Sequence, residues 1–339
     1  MVLKSENAAL DATFTIRPAQ MEDLQTATDL FNAADRPFFH ADLHDLEETK
    51  AEWENPQFNM ETSTLAVFTA EGQMVGYIEI FDYRAMPVRP WIWGRIHPDY
   101  EGRGIGTHLF EWVEKRSYDV FDRVPEDAAI TLMTGVLDKK TDACRFLEDM
   151  GMTSERSGYT MLMEMDEAPE PPTMLEGIRI VNQKDYNADM QAIFAAVRGS
   201  FQDHRGFVDE PFDVSFERWQ HFWTNDPHYD PAAWLLALDG DDIVGISLCR
   251  AQSHEGEDRG HVHQLGVIRE YRRRGIAMAL LRQTFVTFWE RGKRKVDLGV
   301  DGSSITNAVA LYERAGMSIE KVYLTYEKEL RPGKEYSNQ

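Results

Sequence analysis

The sequence predicts an α/β protein made of two similar domains, each with a mixed central sheet flanked by helices. Two observations predict this fold. The chain contains one pattern twice, and each copy runs in the order strand, Gly-containing turn, helix, strand. Such a crossover unit places its two strands parallel. Hairpins on either side of the crossover add antiparallel strands, so the sheet is expected to be mixed.

The duplication sets the domain boundaries. The matching segments are residues 97–106 with 268–277, 142–152 with 307–317, and 14–18 with 177–181. The stretch 165–174 between the copies is polar and rich in proline, as a stiff linker would be. We therefore expect a first domain over residues 12–166, a linker over 167–176 and a second domain over 177–332.

Hydrophobic periodicity gives each copy the same order of elements. Helices are expected at 21–33, 43–53, 105–116 and 142–150, and in the second copy at 184–199, 213–223, 276–291 and 306–315. Strands are expected at 14–17, 64–68, 74–80, 90–96 and 130–135, and in the second copy at 178–181, 233–238, 243–249, 260–267 and 295–300, with closing strands after the last helices. The turns Glu71-Gly72 and Asp239–Asp242 join the two hairpins.

The charge of the chain limits the classes of partner that it is expected to bind. The 339 residues carry a net charge of -22, the wrong sign for coating a phosphate backbone, so no nucleic-acid partner is expected. Residues 1–170 hold 33 acidic and 15 basic side chains, whereas residues 171–339 hold 25 and 21. This acidity either serves solubility alone or attracts a cationic substrate.

The apolar segments and the cysteines of the sequence indicate where the protein is located and whether it binds a metal. The apolar runs are short and Met1–Asn7 lacks the pattern of a secretory signal, so we expect a cytoplasmic protein without a membrane partner, as a monomer or homodimer. Cys144 and Cys249 cannot make a disulfide framework, and neither stands at zinc-finger spacing. No metal site is expected.

The turn Arg272-Arg-Arg-Gly-Ile-Ala277 stands where a strand ends and a helix begins. Small residues there let the backbone approach a ligand, and the free N–H groups of the helix start form a cradle for an anion such as pyrophosphate. A plain strand-to-helix turn is the simpler interpretation of one such segment. Its occurrence in both copies, with the same flanking elements, favours the anion site.

With the preceding Leu265-Gly-Val267, this turn resembles the acetyl-CoA-binding motif of the GNAT superfamily of N-acetyltransferases. The segment 307–317 is similar to another common segment of that family. The resemblance covers nearly the whole chain as two tandem GNAT domains. It implies a sheet that splays open after its fourth strand, where acetyl-CoA inserts, and direct acetyl transfer to a bound amine without a covalent enzyme intermediate. The cofactor contacts it implies are Leu265, Gly266, Val267, Arg272, Arg273, Arg274, Gly275, Ile276, Ala277 and Asn307.

Two histidines are candidates for the proton acceptor. His261 and His263 alternate along one strand, so both point to one face, and imidazole titrates near neutrality. The strand also resembles the His-x-His strand of the arylalkylamine N-acetyltransferases, which implies that the pair relays the substrate's proton. The alternatives are polar residues on a partly exposed strand, or a core histidine satisfied by hydrogen bonds.

Tyr312 stands where a GNAT tyrosine gives a proton to the departing thiolate of CoA, and the resemblance implies that role here. The alternative is an aromatic residue packed in the core.

The acceptor amine is expected at the loop between the first two helices of the second copy. Phe201 and Phe207 would shape an apolar pocket there, and Asp209 or Glu210 would attract the amine. An ordered surface loop without that function is an equal alternative.

The first copy departs from the motifs at several positions. Glu101 replaces Arg272, Leu147 replaces Tyr312, Asp142 replaces Asn307, and Pro90 and Ile92 replace the two histidines. A turn of the same shape remains, with a possible vestigial CoA site formed by Gly102, Arg103, Gly104 and Gly106. Catalysis is therefore expected only in the second copy, an arrangement similar to that of mycothiol synthase. A non-catalytic acyl-CoA sensor and acetylation of the amine of a thiol precursor are the alternatives.

Overall fold

The computed structural model describes residues 10, 12–302 and 307–338. The chain divides into two compact units. The first contains the residues up to Thr153 together with 326–334, and the second contains 154–325 together with the residues from Glu335 onward. Within the described residues, no helix combines the length and the apolar character needed to cross a bilayer.

In the described residues, the first unit contains five strands of its own and five helices. The strands are β1 (Thr15–Arg17), β2 (Thr64–Phe68), β3 (Met74–Phe81), β4 (Trp91–Ile96) and β5 (Ile130–Leu137). The helices are α1 (Leu24–Phe39), α2 (Leu46–Trp53), α3 (Met60–Ser63), α4 (Ile105–Ser117) and α5 (Thr141–Asp149). Neighbouring strands from β1 to β4 are antiparallel, and β4 pairs parallel with β5. The predicted crossover and the mixed sheet are therefore confirmed.

The second unit repeats this order. Its strands are β6 (Thr153–Glu164), β7 (Ile178–Asn182), β8 (Leu235–Asp239), β9 (Asp242–Arg250), β10 (Arg259–Val267), β11 (Lys295–Asp301) and the first part of β12 (Ser318–Arg331). Its helices are α6 (Gln183–Tyr186), α7 (Met190–Phe201), α8 (Phe212–Asn225), α9 (Ile276–Glu290) and α10 (Ala308–Arg314). β7 to β10 are antiparallel neighbours, and β10 and β11 are parallel.

The boundaries of the units differ from the expected boundaries because the closing strands are exchanged. β6 closes the first copy in sequence, yet it pairs antiparallel with β11 from Lys295↔Glu164 to Asp301↔Gly158. The end of β12 follows the second copy but belongs to the first unit, where Arg331 Nε donates to the carbonyl of Ala128 at 2.8 Å. A strand takes the partner that completes its hydrogen bonds, and the position of the linker does not reveal which partner that is.

Two helix predictions are corrected. The helix expected at 184–199 is divided into α6 and α7, because Asn187 adopts a left-handed conformation and Asp189 caps a new helix through Gln191 N. The helix expected to start at residue 306 begins as α10 after Asn307, and Thr306 lies outside the described residues. The expectation that Met1–Asn7 is not a secretory signal also concerns residues outside the described part.

The core of the second unit lies on both faces of its sheet. On one face, α7 and α8 pack against β8 and β9 through residues such as Phe194, Trp223 and Leu236. On the other, Ile276 and Leu280 of α9 pack against Ala237 and Val244 of the same strands. Because α9 is held firmly by its apolar face, its N-terminal turn stays fixed at the end of β10.

Candidate active site in the second unit

The central feature of the candidate site is the divergence of β10 and β11. Their parallel pairing runs from Arg259↔Lys295 to Val262↔Leu298 and then stops, although β10 continues to Val267. Beyond Val262, β10 keeps its ladder with β9. The edge of residues 263–267 that faces away from β9 therefore has backbone groups outside the β10–β11 ladder, in a gap suited to an extended ligand arm.

A β-bulge marks the point where the strands part. The register between β10 and β9 shifts between Val262 and Gln264, so His263 is the extra residue. Bulges of this kind re-aim a side chain. The His263 ring stacks on the exposed Phe222 with ring centroids 5.0 Å apart, and Trp223 meets it edge-on at 5.1 Å.

The two histidines share one face, as predicted. Their ring centroids are 6.0 Å apart. His261 Nδ1 lies 2.6 Å from Oδ1 of Asp297, a buried residue of β11. Ser253 Oγ donates to Oδ2 of the same carboxylate at 2.8 Å, and Arg259 approaches Oδ2 at 3.2 Å. The strand thus presents one imidazole bound to a carboxylate and one stacked between aromatic rings.

The surroundings favour the charged form of Asp297 and the neutral form of His263. Burial alone would raise the pKa of Asp297, but the hydrogen bond and charge of His261, with Ser253 and Arg259, bring the net pKa below its usual range. The His263 pKa is also lowered, first by desolvation and then by the positive charges of His261, Arg250 and His254. Part of the His263 side chain is exposed, so water reduces the effect of desolvation on its pKa. The neighbouring positive charges lower the pKa in the same direction.

The start of α9 has the backbone geometry on which the prediction of an anion site depends. Gly275 is the N-cap residue, with φ +85° and no side-chain hydrogen bond to the helix, so the first N–H groups, those of Ile276 and Ala277 included, are not capped by a side chain. Arg273 also has a left-handed backbone, with φ +63°. Arg273 and Arg274 are exposed, and Arg274 lies over the Tyr271 ring at 5.0 Å. Uncapped N–H groups between exposed arginines fit a diphosphate.

Arg272 does not extend into this cradle. Its guanidinium pairs with Asp203 at 2.5 and 2.8 Å and donates to the carbonyls of Ser200 and Val267 at 2.9 and 3.1 Å. The Asp203 hydrogen bonds raise the pKa of Arg272, and the same contact lowers that of Asp203. The side chain therefore ties the end of α7 to the turn, and its contact with the cofactor stays a prediction.

The part of β10 that lies beyond the pairing with β11 needs a glycine. A Cβ built on Gly266 would lie 2.6 Å from Ser200 Cβ and 3.0 Å from Phe201, so α7 packs directly on the backbone here. Leu265 is partly buried, and Val267 is buried beside Ile276. This contact fixes the open edge of β10 relative to the start of α9.

Tyr312 is buried in the core on α10, only 7% exposed, and burial raises its pKa to about 12. Its hydroxyl therefore keeps its proton at neutral pH, as a proton donor must. Asn307, the residue before α10, is exposed and left-handed, with φ +55°. The side chain of Tyr312 also packs as a core aromatic residue. Its position is therefore compatible both with a role as proton donor and with a role in packing.

The carboxylates expected to attract an amine are already paired. Asp209 lies 2.5 Å from Arg198, and the buried Glu210 pairs with Arg218. Phe207 lies under the guanidinium of Arg198 at 5.8 Å, and Phe201 packs on His204. These contacts hold the segment between α7 and α8 in place, as the alternative of an ordered surface loop requires, and the acceptor-binding role of the four residues stays a prediction.

Sequence reasoning missed the aromatic and acidic partners of the histidines. Phe222 and Trp223 lie on α8, and Asp297 lies opposite His261 in the register of β11. An acidic residue within the apolar run of a buried strand was a usable signal, because such a charge requires a partner. The aromatic contacts depend on how α8 crosses the sheet.

The first unit keeps the shape of the turn. Gly104 caps α4 with φ +81°, Gly102 has φ +72°, and neither α4 nor α9 has a side-chain cap. Arg103 lies over Tyr100 at 4.6 Å, and Gly106 faces the ring of Phe146. The backbone of the possible vestigial site thus matches that of the second unit.

The end of β4 in the first unit is occupied by ion pairs. Arg95, at the position equivalent to Gly266, binds the buried Asp35 at 2.9 Å, and Lys140 and His44 bind the same carboxylate at 2.5 and 2.9 Å. β4 and β5 share the single register pair Trp91↔Met133. Charged side chains therefore fill the region that the second unit leaves to its backbone and histidines.

The comparison with known families agrees with the duplicated fold. The model of the acetyltransferase (GNAT) family matches the chain twice, over residues 27–152 and 191–317. The fold and the site thus define an α/β acyltransferase with two repeated domains. The chain belongs to the GNAT acetyltransferase family, whose cofactors are acyl-CoA thioesters.

The chain is similar in sequence to acetyltransferases of two different names. Mycothiol acetyltransferase of Propionibacterium freudenreichii is 27% identical over 179 residues, which cover 52% of this chain and 55% of that protein. The enzyme of the same name from Salinispora arenicola is 25% identical over 277 residues, covering 78% and 81%. N-alpha-acetyltransferase 30 of Schizosaccharomyces pombe is 31% identical over 90 residues, covering 26% and 59%. The chain thus spans little more than half the length of two of these relatives.

Solved structures agree on the fold. A GCN5-related N-acetyltransferase from Sphaerobacter thermophilus superposes with a TM-score of 0.77 and 30% identity, covering 96% of this chain and 98% of that one. A tandem GNAT protein from the clavulanic acid biosynthesis pathway gives a TM-score of 0.67 at 14% identity, covering 95% and 100%. The second likeness concerns the fold alone.

Proposed function

We propose that the protein transfers the acetyl group of acetyl-CoA to a primary amine of a small molecule, and that the second unit carries the reaction. The observation that carries the proposal is the position of the histidine pair. His261 and His263 lie on the strand that leaves its parallel neighbour, and α9 begins at the end of that strand. At the positions equivalent to the two histidines the first unit has Pro90 and Ile92, and further along the same segment Arg95 pairs with Asp35.

The residues present fit the cofactor. The uncapped N–H groups at the start of α9, with Arg273 and Arg274 beside them, would hold the diphosphate, and the edge of β10 from Leu265 to Val267 would hold the extended arm. Acetyl-CoA, when bound, supplies the thioester. The side chain of Arg272 contributes by keeping α7 and the turn together.

The remaining tasks fall to side chains of this unit. The histidines accept the proton that the ammonium form of the acceptor must lose, and Tyr312 holds a proton at its hydroxyl oxygen. Phe222 and Trp223 supply an apolar wall beside His263, which suits an acceptor that carries an apolar group next to its amine.

The amine of a thiol precursor, as in mycothiol formation, is a second candidate acceptor. It is favoured because two of the relatives named above are mycothiol acetyltransferases, and one of these alignments spans most of both chains. A non-catalytic acyl-CoA sensor would bind the cofactor at the start of α9 without transferring its acyl group. The measurements that test the proposal therefore also test this alternative.

Two measurements on the full chain test the proposal. Acetyl-CoA at about a hundred times its Kd is expected to raise the free energy of unfolding by about 2.7 kcal/mol. A panel of arylalkylamines, polyamines, aminosugars and peptide N-termini, read by release of the free CoA thiol, is expected to give turnover with at least one class. Stabilisation without any turnover would support the sensor, and absence of stabilisation would reject the cofactor assignment.

A further inference from the structure

Three residues form a row across the sheet at the candidate site. Arg250 of β9, His261 of β10 and Asp297 of β11 are partners in register, so their side chains lie on the same face. Arg250 is paired with Asp226 at 2.7 Å, whereas Asp297 contacts the imidazole itself at 2.6 Å. His261 therefore lies between an arginine that is paired with Asp226 and a carboxylate that contacts the ring directly.

The carboxylate determines which nitrogen of His261 carries the hydrogen. Asp297 receives hydrogen bonds from Ser253 and Arg259, and its lowered pKa keeps it ionised at neutral pH. An ionised carboxylate only accepts hydrogen bonds, so Nδ1 of His261 must donate. The lone pair of the neutral ring is then at Nε2, the atom that Asp297 does not contact.

His263 has different surroundings. Its ring stacks on Phe222 and meets Trp223, and the nearby positive groups disfavour a proton on it. Asp297 is bonded to His261 through Nδ1, so a charge that develops on that ring is balanced directly. The two histidines of the strand are therefore not equivalent.

We infer that His261 is the proton acceptor of the reaction, that Asp297 is its positioning residue, and that His263 stays neutral and orients the acceptor. This inference rests on the proposed function. The N–H bond of the acceptor's ammonium group breaks, and its proton is bound at Nε2 of His261. The ring becomes imidazolium, Asp297 remains ionised, and the electron pair stays on the acceptor nitrogen.

The charged groups around His261 lie on its own strand and on the strands and loops packed beside it. Arg250 lies on β9 and His254 follows it, while Arg259 and His263 lie on β10 itself. Arg259 also binds Glu255 and Glu320, and Lys321 binds the same two carboxylates. Asp297 is the acidic group in direct contact with the ring, so its charge has the largest effect on the proton there.

The first experiment observes the ring directly. In the full-length protein labelled with ¹⁵N-histidine, long-range ¹H–¹⁵N correlation is expected to show His261 with hydrogen on Nδ1 and none on Nε2 at neutral pH, with His261→Gln giving the assignment. Spectra with hydrogen on Nε2 would overturn the inference. This measurement needs no variant at Asp297 and no turnover, so its outcome is independent of the proposed function.

The second experiment uses Asp297→Asn, with Glu320→Gln as the matched control. Asparagine keeps the shape and removes the charge that favours imidazolium, so the acidic limb of the kcat/KM profile is expected to move to lower pH, and kcat/KM at neutral pH to fall by about tenfold or more. Acetyl-CoA stabilisation is expected to persist, which shows that the variant is folded. Glu320→Gln removes a carboxylate from the Arg259 network and is expected to leave the limb in place.

An Asp297→Asn variant with the wild-type limb would overturn the inference, as would equal shifts in both variants. Failure of every amine to turn over would instead reject the proposed function, and the tautomer measurement would still decide the state of His261.

Discussion

The carboxylate of Asp203 accepts hydrogen bonds from both terminal nitrogens of Arg272, at 2.5 and 2.8 Å. The first arginine of the turn before α9 thus has its hydrogen-bond partners within the protein. Since it also donates to two backbone carbonyls, it joins the C-terminal end of α7, the end of β10 and the turn before α9. The exposed Arg273 and Arg274 remain as the cations of the cradle.

Arg272→Gln is expected to lower the free energy of unfolding by about 1–3 kcal/mol, because Asp203 and two carbonyls lose a charged donor. Arg274→Gln is the matched control, with unchanged unfolding and a loss of acetyl-CoA affinity that diminishes as salt is added. Urea unfolding and calorimetric titration measure the two effects. A salt-sensitive loss of affinity in Arg272→Gln at unchanged stability would contradict this assignment.

Gly275 and Gly104 offer a matched pair for locating the cofactor. Both have a positive φ, +85° and +81°, so alanine is expected to cost about 1 kcal/mol of stability at either position. Gly275→Ala is expected to abolish or strongly weaken acetyl-CoA binding, because the N–H groups at the start of α9 are displaced, whereas Gly104→Ala keeps it. Thermal shift with and without acetyl-CoA reads both properties. The reverse pattern would place the cofactor in the first unit.

Tyr312→Phe is expected to lower kcat by about a hundredfold while the affinity for acetyl-CoA stays unchanged. Burial raises the pKa of Tyr312 to about 12, so the hydroxyl is protonated throughout the usual assay range and its removal costs activity at every pH in that range. Tyr326→Phe is the control, because this tyrosine is equally buried and belongs to the first unit. Equal losses of kcat in the two variants would show that Tyr312 acts only through packing.

Gly266→Ala is expected to destabilise the protein by about 1–3 kcal/mol, because the new Cβ would lie 2.6 Å from Ser200 Cβ and α7 would have to move. Gly299→Ala is the control on the neighbouring strand, where a Cβ meets nothing within 4 Å. Its effect on the free energy of unfolding is expected to stay within about 0.5 kcal/mol. Chemical denaturation of both variants measures the difference, and equal stabilities would contradict the close packing of α7 on β10.

Asp35→Asn tests the ion cluster of the first unit by its pH dependence. Burial alone would raise the pKa of Asp35, but hydrogen bonds and charges from His44, Arg95 and Lys140 lower it strongly overall. A lowered folded-state pKa stabilises the protein above the unfolded value, near pH 4, and the contribution is lost as the pH falls further. We expect the variant to lose about 3 kcal/mol at pH 7 and clearly less at pH 3. A loss that is constant with pH would contradict the charged state of Asp35.

Much of the site is local in sequence, and that part was predicted. The alternation of His261 and His263 along a strand, the glycine at the start of α9 and the tyrosine of α10 follow from the backbone geometry of short segments. The repeat itself predicted two sheets with parallel crossovers, because strand–turn–helix–strand units close in only one favoured way. The family match agrees with this level of description.

By itself, the sequence determined the duplicated α/β fold, the glycine-capped start of α9 and the shared face of the histidines. Only the tertiary structure decided which partners the charged side chains take and which unit holds each closing strand. His261 meets Asp297 because two strands pair in one register, and Arg272 meets Asp203 because α7 packs on Gly266. Contacts of this kind join residues far apart in the chain, and a short sequence pattern carries no information about the register and packing that bring them together.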